Sequence, residues 1–133
     1  MVKSCDMYKF EQLEVYHLAL DYVDLAYALA GRLPRSEDFN LKPQIVRAAT
    51  SIVLNIAEGS TGQGDAEQGR FLGMGIRSLL ETVACRHLIQ RRGYIAENDP
   101  LQKQLEGAAE TLSRKLQAMR KALGEHGPRA VAT

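Results

Sequence analysis

Apolar residues recur at intervals of three and four along four long segments of the chain, and this spacing favours helices over strands. Residues three or four apart lie on the same face of a helix, so each such segment has one face to bury. The fourth segment shows a single apolar stripe, formed by Leu101, Leu105, Ala108, Leu112, Leu116, Met119 and Leu123. No alternating pattern typical of strands competes with it. We therefore predict an all-α protein.

Proline and glycine divide the chain between these segments. The predicted helices span about 13–31, 41–58, 66–92 and 100–124, after an N-terminal arm at 1–12 and before a flexible tail at 125–133. Residues of the types that cap helices stand near the predicted ends: Gly31, Ser36 or Asn40, Gly59, Asp65 with Gln68, Gly93, and Asn98 or Asp99. Because the connections are short, we expect neighbouring helices to be antiparallel, in an up-down-up-down four-helix bundle.

The first predicted helix is apolar around most of its circumference. One stripe runs through Leu13, Tyr16, Leu20, Val23 and Tyr27, and a second runs through Val15, Leu18, Tyr22, Leu25 and Leu29. An outer helix of a small bundle normally buries one face only, so a second apolar face indicates a further contact. We predict that the second stripe forms a subunit interface of a homo-oligomer.

Composition and cysteine usage narrow the class of protein. The chain has 133 residues, 45% of them hydrophobic, and a net charge of +1, which fits one soluble domain without a generally basic surface. Cys5 and Cys85 have neither disulfide nor metal spacing, and no apolar run is long enough to span a membrane. We expect a cytoplasmic protein that has no membrane contact.

The segment "NIAEGSTGQG", residues 55–64, superficially resembles a phosphate-binding loop because four residues separate Gly59 and Gly64. Asp65 and Ala66 follow, so the loop lacks both the lysine that contacts phosphate and the hydroxyl that binds magnesium. We predict instead that Gly59 ends the second helix in a left-handed conformation and that the other glycines form a turn.

No catalytic or metal-binding motif is apparent. His17, His87 and His126 fall in three separate segments, and Glu81, Cys85 and His87 do not have the spacing of a metal site. We therefore expect no cofactor, no metal and no enzymatic activity.

A polar row follows one face of the second helix, and the third helix offers partners for it. The predicted network comprises Gln44, Arg47, Ser51, Asn55, Glu58, Arg70, Ser78 and Glu81. Half-buried polar groups need hydrogen-bond partners, so the row either joins helices or subunits, or lines a binding site. A salt bridge between Arg47 and Glu81, or a hydrogen-bond network that both share, is expected. The glycines Gly69, Gly73 and Gly75 predict a close approach of the third helix to the second, opposite Ala48, Ala49 and Ser51.

Cations cluster near the end of the third helix and along the fourth. The candidate nucleic-acid-binding residues are Arg86, Arg91, Arg92, Arg114, Lys115, Arg120 and Lys121. The alternative is that they form a solvated face and favourable charges at helix C-termini.

Four stretches together resemble one family: "FEQLEVYHLALD", "LPRSE", "QIVRAATSIVLNIAEG" and "RFLGMGIRSLLE". They are similar to the 23S rRNA intervening-sequence proteins over about residues 10–94, except that Gly75 replaces an alanine of the family pattern and Arg77 a glycine. The resemblance implies a four-helix bundle. It also implies a likeness to the accessory variability protein of diversity-generating retroelements, a five-subunit ring that works with a reverse transcriptase and nucleic acid, so a homopentamer is expected.

Three functions follow from these patterns. The first is a non-catalytic oligomeric scaffold that binds nucleic acid or a nucleic-acid enzyme. The second is an assembly module that binds only protein, and the third is a small-molecule enzyme or metal protein, for which the sequence offers least.

Overall fold

Four long α-helices dominate the computed structural model, which describes residues 8–62 and 64–126. The helices are α1 at Glu14–Ala30, α2 at Leu41–Gly59, α3 at Asp65–Arg91 and α4 at Pro100–His126. Short 3-10 helices at Lys9–Gln12 and Arg35–Glu37 precede α1 and α2. The described residues contain no strand, so the prediction of an all-α protein with four helices is confirmed.

The predicted arm and tail differ from what the structure describes. Residues 9–12 of the predicted arm form a 3-10 helix, and α4 continues to His126, inside the predicted tail. Residues 1–7 and 127–133 lie outside the described residues.

Helices α2 and α3 run antiparallel along their length. The hydroxyl of Ser78 donates to that of Ser51 at 3.0 Å, while Cys85, further along α3, contacts Gln44 near the start of α2 at 3.9 Å. Residues that advance along α3 therefore meet residues that recede along α2. The short connection between the two helices accounts for this arrangement.

The core lies between the four helices, and each helix contributes large side chains to it. The largest fully buried apolar side chains are Tyr22, Leu29, Ile45, Ile52, Ile56, Leu72, Leu79, Ile89, Leu105, Leu112 and Leu116. Burying a side chain of this size contributes about 1.5–3 kcal/mol. The apolar stripes predicted from the sequence thus meet in one core.

The predicted subunit interface on α1 is wrong for most of its residues. Val15, Tyr22 and Leu29 are buried in the chain's own core, and Leu18 and Leu25 pack against that core. The two neighbouring helices, α2 and α4, already cover this stripe. On α1 the large apolar side chains left exposed are instead Leu20 and Tyr27, which belong to the other predicted stripe.

Gly59 serves a different purpose from the predicted one. It is the last residue of α2, and the glycines with positive φ in the described residues are Gly62, Gly64 and Gly93. A methyl group on Gly59 would lie 2.6 Å from Cβ of Phe71, so a glycine is required for space. Gly93 does end α3 as predicted: its φ is 81°, and the N–H of Tyr94 donates to the carbonyl of Ile89.

The caps at the helix N-termini are confirmed in one case and corrected in another. Asp99 caps α4, because its carboxylate accepts a hydrogen bond from the N–H of Leu101 at 2.9 Å. Asp65 is not a cap: Gly64 precedes the first helical residue. The side chain of Gln68 does not form the predicted capping box but donates to the hydroxyl of Ser60 at 2.9 Å, closing the turn between α2 and α3.

None of the helices, over the residues that the structure describes, is long and apolar enough to cross a membrane.

Two glycine substitutions test the packing between α2 and α3. We expect Gly59→Ala to lower the free energy of unfolding by about 1–3 kcal/mol, because its methyl group would overlap Phe71. The matched control is Gly69→Ala, where nothing lies within 4 Å of the added methyl group, and it should stabilise α3 by up to about 1 kcal/mol. Urea unfolding followed by circular dichroism measures both; similar effects of the two substitutions would contradict the packing argument.

Candidate functional site

Part of the predicted polar row joins α2 to α3. The amide of Asn55 donates to the carbonyl of Ser51 at 2.8 Å and to its hydroxyl at 3.1 Å, and Ser78 donates to that hydroxyl from α3. Gln44 contributes only the weak contact with Cys85. These groups are mostly half-buried, so their hydrogen bonds offset the cost of removing them from water.

The remaining members of the predicted network are not part of it. Arg47, Glu58 and Glu81 are exposed, and in the described part of the chain no ion pair joins Arg47 to Glu81. Asn55 is hydrogen-bonded to Ser51, and Arg70 pairs with Glu67 at 2.6 Å. The predicted network fails at these positions because the side chains are exposed to solvent, on α2 for Arg47 and Glu58 and on α3 for Arg70 and Glu81.

The predicted close approach at the α3 glycines is also corrected. A methyl group added to Gly75 would lie 3.8 Å from Asn55 and from the carbonyl of Ile52, an ordinary contact distance, and one added to Gly69 would meet nothing within 4 Å. Gly73 lies against α4 rather than α2, as described below for the groove.

A second polar cluster, which the sequence analysis missed, lies inside the bundle. The hydroxyls of Tyr22 and Thr82 are 2.6 Å apart, and Thr82 donates to the carbonyl of Leu79 at 2.6 Å. Since Thr82 has one hydroxyl proton, Tyr22 must be the donor between the two. Burial raises the pKa of Tyr22, while the hydrogen bond to Thr82 and the charge of Arg86 oppose the rise.

Arg86 belongs to this cluster, and the prediction that it binds nucleic acid is wrong. It is 6% exposed, and its guanidinium lies 3.4 Å from Gln102 and 3.6 Å from Glu106. Gln102 in turn donates to Gln90. The Nε of Arg86 has no hydrogen-bond partner among the described residues. Arg86 faces inward because it lies on the same side of α3 as the buried residues Leu79 and Thr82.

An arginine-lined groove lies between α3 and α4, and we call it the α3–α4 groove. Its volume is about 390 Å³, and its lining residues are Arg70, Gly73, Met74, Ile76, Arg77, Leu80 and Arg120. The guanidinium of Arg120 rests on the backbone of α3 at Gly73, where a methyl group would lie 2.9 Å from its Cζ. None of the residues that line the groove is acidic.

Two of the three arginines have no carboxylate partner among the residues that the structure describes. Arg70 pairs with Glu67 and lies over the ring of Phe71 at 4.8 Å, whereas Arg77 and Arg120 form no ion pair with any described residue. An arginine fork suits the bidentate binding of phosphate or carboxylate oxygens. The two unpaired arginines make the groove locally basic. Arg120 was predicted from the sequence as a nucleic-acid contact. Arg77 was not, and only the tertiary structure shows that it lines the same groove.

The groove continues into an exposed stripe along α3. This outer stripe comprises Arg77, Leu80, Ala84, Leu88 and Arg91, spaced three or four residues apart. Leu80 is 57% exposed and Leu88 is 51% exposed. Two exposed leucines between two arginines form a surface that is both apolar and basic, which is unusual for the solvent face of a helix.

The other predicted cations are dispersed. Arg91 and Arg92 lie exposed at the end of α3, and Arg114 and Lys121 lie exposed on α4. Lys115 is engaged with Glu14 of α1 at 3.3 Å. Of the seven predicted contacts, Arg120 alone lines the groove, and Arg91 belongs to the outer stripe.

The connection between α1 and α2 is held by Glu37. Its carboxylate accepts hydrogen bonds from the hydroxyl of Tyr94 at 2.8 Å, the amide of Asn40 at 3.2 Å and the N–H of Leu41 at 3.3 Å. The bond from Tyr94 is the main cause that lowers the pKa of Glu37 below its usual range, helped by the other two and by the positive charge of Arg92; burial opposes them.

Nucleophilic and metal chemistry find little support among the described residues. Burial, with the negative charge of Glu81, raises the pKa of the Cys85 thiol, which disfavours the reactive thiolate. No group of three or more His, Cys, Asp or Glu side chains in the described part of the chain is arranged to hold a metal ion. The notable surface features are instead the arginines of the groove and the exposed leucines of the outer stripe.

These features define a class of protein: an all-α chain of four helices with an arginine-lined groove between two of them. The chain matches the family model described as 23S rRNA-intervening sequence protein over residues 11–118, and it belongs to that family. The resemblance expected from the sequence stretches is thereby confirmed, and the match extends beyond residue 94 into α4.

One solved structure supports the fold. It is the crystal structure of a protein with unknown function from the S23 ribosomal protein family from Bacteroides thetaiotaomicron. The two chains are 23% identical with a TM-score of 0.57, and the likeness covers 84% of this chain and 95% of that chain. At this identity the likeness shows the fold alone. No curated protein matches the chain.

The buried cluster predicts unequal effects for its two hydroxyls. Tyr22→Phe removes a donor and leaves Thr82 bonded to Leu79, so we expect a loss of about 1 kcal/mol in the free energy of unfolding. Thr82→Val leaves the buried hydroxyl of Tyr22 without its acceptor and should cost more, up to about 3 kcal/mol. Denaturant unfolding measures both values, and a larger loss for Tyr22→Phe would contradict the assigned donor.

Glu37 predicts a pH-dependent contribution to stability. Because its pKa is lowered in the folded state, its stabilising effect is present above the unfolded pKa of about 4.3 and is lost as the pH falls through the lower folded value. Glu37→Gln should therefore melt at a lower temperature than the wild type at pH 7, and the difference should shrink as the pH falls below the unfolded pKa and through the lowered folded pKa. A difference in melting temperature that does not change with pH would refute this role.

Proposed function

We propose that the protein is a non-catalytic scaffold that binds nucleic acid through the α3–α4 groove. The observation that carries the proposal is the pair of arginines, Arg77 and Arg120, which share a groove without an acidic residue and have no ion-pair partner among the described residues. Phosphate oxygens of a nucleic-acid backbone are the anions that such a pair would contact most readily in a cell.

The surroundings of the groove support the proposal. The outer stripe extends the basic surface to Arg91, and its exposed leucines offer apolar contact to bases or sugars. The low net charge of +1 does not oppose the proposal. Some cations are buried, as Arg86 is, or paired, as Lys115 is, so the net charge does not describe the local charge of the groove. The names of the family and of its structural neighbour both refer to ribosomal components.

The proposal includes the up-down-up-down topology and a homo-oligomer, with a homopentamer expected from the family resemblance. Large apolar side chains remain exposed on α1 and α2, namely Leu20, Tyr27 and Leu54, and they are the candidates for subunit contacts. A ring would repeat each groove by symmetry and so increase affinity for a long nucleic-acid chain.

Light scattering should give a mass in solution of several times the 14.7 kDa of one chain. A cytoplasmic location is part of the same proposal.

A purely protein-binding assembly module is the second candidate function. It is favoured by the exposure of Leu80 and Leu88, which form an apolar surface of the kind that proteins bury on binding. The two candidates are distinguished by isolating the protein with its partners before and after nuclease treatment, because a protein partner survives digestion.

The groove predicts a salt-dependent affinity. Binding of a fluorescent RNA oligonucleotide, measured by anisotropy, should weaken linearly in log Kd against log salt concentration. The double variant Arg77→Gln, Arg120→Gln should weaken binding about tenfold or more at low salt, since each removes a charged hydrogen-bond donor. Its salt slope should fall by about 1.4 if each arginine contacts one phosphate of a single strand.

Lys115→Gln is the matched control. It removes one cation from α4 that is already paired with Glu14, so its effect on affinity should be small. Nucleic-acid binding fails as a function if the wild type shows no binding at low salt. The groove fails as the site if the arginine variant and the control lose the same affinity.

A further inference from the structure

Phe39 is the most exposed large apolar side chain in the described part of the chain. It lies in the connection between α1 and α2 and is 98% exposed. Single exposed apolar residues are common, but an almost completely exposed phenylalanine makes no use of its ring within the fold. The ring is therefore available to a partner.

The backbone on both sides of Phe39 is held in place. The N–H of Asn40 donates to the carbonyl of Glu37 at 3.1 Å, and the N–H of Asp38 donates to that of Arg35 at 3.0 Å. The carboxylate of Glu37 is fixed from α2 and from Tyr94, beyond the end of α3, by the three hydrogen bonds described above. The ring is thus presented by an ordered turn, so little conformational entropy would be lost on binding.

The exposed, unpaired charges around the turn are positive. Asp38 pairs with Lys42 at 2.7 Å, and the Glu37 carboxylate, which keeps its negative charge, is buried and hydrogen-bonded to Tyr94. Arg35 in the same turn and Arg92 at the end of α3 are exposed and form no ion pair with a described residue. Arg92 is near enough to Glu37 for its charge to help lower the pKa of that carboxyl.

An exposed aromatic ring beside arginines is the combination that stacks an unpaired base and contacts its phosphates. In a duplex the faces of the bases are already stacked on one another, so the ring finds no free face except at an end. We propose that Phe39 is a stacking platform for an unpaired base and that Arg35 and Arg92 contact the adjacent phosphates. The inference rests on the proposed nucleic-acid binding and specifies its ligand as a single strand.

The absence of tryptophan from the sequence makes a direct test possible. Phe39→Trp introduces a single fluorophore, and titration with a single-stranded RNA 12-mer should quench its emission by base stacking. The matched control is Tyr8→Trp, which places tryptophan at another exposed aromatic position at the opposite end of the bundle, where emission should not change.

A second variant tests the contribution to affinity. Phe39→Ala should weaken binding of the single strand about tenfold, within the range for the loss of one stacked base. It should leave the salt slope unchanged, because no charge is removed. It should weaken binding of a blunt duplex of the same length much less than binding of the single strand, because only the two terminal base pairs of the duplex offer a free face. Because the side chain is exposed, the variant should retain the wild-type melting temperature.

The possible failures are distinguishable. If the RNA binds but the Phe39→Trp emission and the Phe39→Ala affinity do not change, this inference is overturned while the proposed function stands. If neither single strand nor duplex binds at low salt, the proposed function fails and this inference fails with it. If Phe39→Ala instead lowers the mass in solution and leaves RNA affinity intact, Phe39 is a contact between copies of the chain and the inference is overturned.

Discussion

The packing of α3 against two neighbours at once is the constraint on which the rest of the structure depends. On one side Gly59 lets α2 approach Phe71, and Ser51 and Ser78 are joined by a hydrogen bond. On the other side Arg120 of α4 rests on Gly73. Once both sides of α3 are occupied, its remaining face must be exposed. The outer stripe lies on that face, and the groove lies where that face meets α4.

The glycines of α2 and α3 illustrate two separate physical reasons for the same residue type. Gly93 is needed for its positive φ, which ends α3 and sends the chain towards α4. Gly59 is needed because any side chain would meet Phe71, and its own backbone is helical. A local sequence pattern indicates that a glycine is present but cannot distinguish these reasons, because the second depends on a residue of another helix.

The net charge does not show where the surface is basic, because some cations are paired or buried and others are not. Lys115 and Arg32 are paired with carboxylates, and Arg86 is buried beside Gln102. Of the arginines without an acidic partner among the described residues, Arg77 and Arg120 line the α3–α4 groove, and Arg35 and Arg92 lie around the turn of Phe39. The others, Arg47, Arg91 and Arg114, lie exposed elsewhere on the helices. A nearly neutral chain thus carries two locally basic surfaces, one beside exposed leucines and one beside an exposed ring.

The sequence by itself determined the helices and the family. Apolar spacing and the capping residues are local signals, so four helices could be predicted and their ends lay close to the observed ones. The stretches around Asn55 were specific enough to indicate the family, which the match over residues 11–118 confirms.

Only the tertiary structure decided which faces are covered. Helix α1 has two apolar stripes, and the positions of α2 and α4 determine that the stripe through Tyr22 is buried, contrary to the prediction. In the same way Arg86 faces the core while Arg77 faces the groove, although both are arginines of α3. The spacing of apolar residues shows which side chains share a face of one helix. It does not show which face meets a neighbouring helix, because that contact depends on the side chains of both helices. The groove and the buried cluster arise from such contacts, and for that reason the sequence did not reveal them.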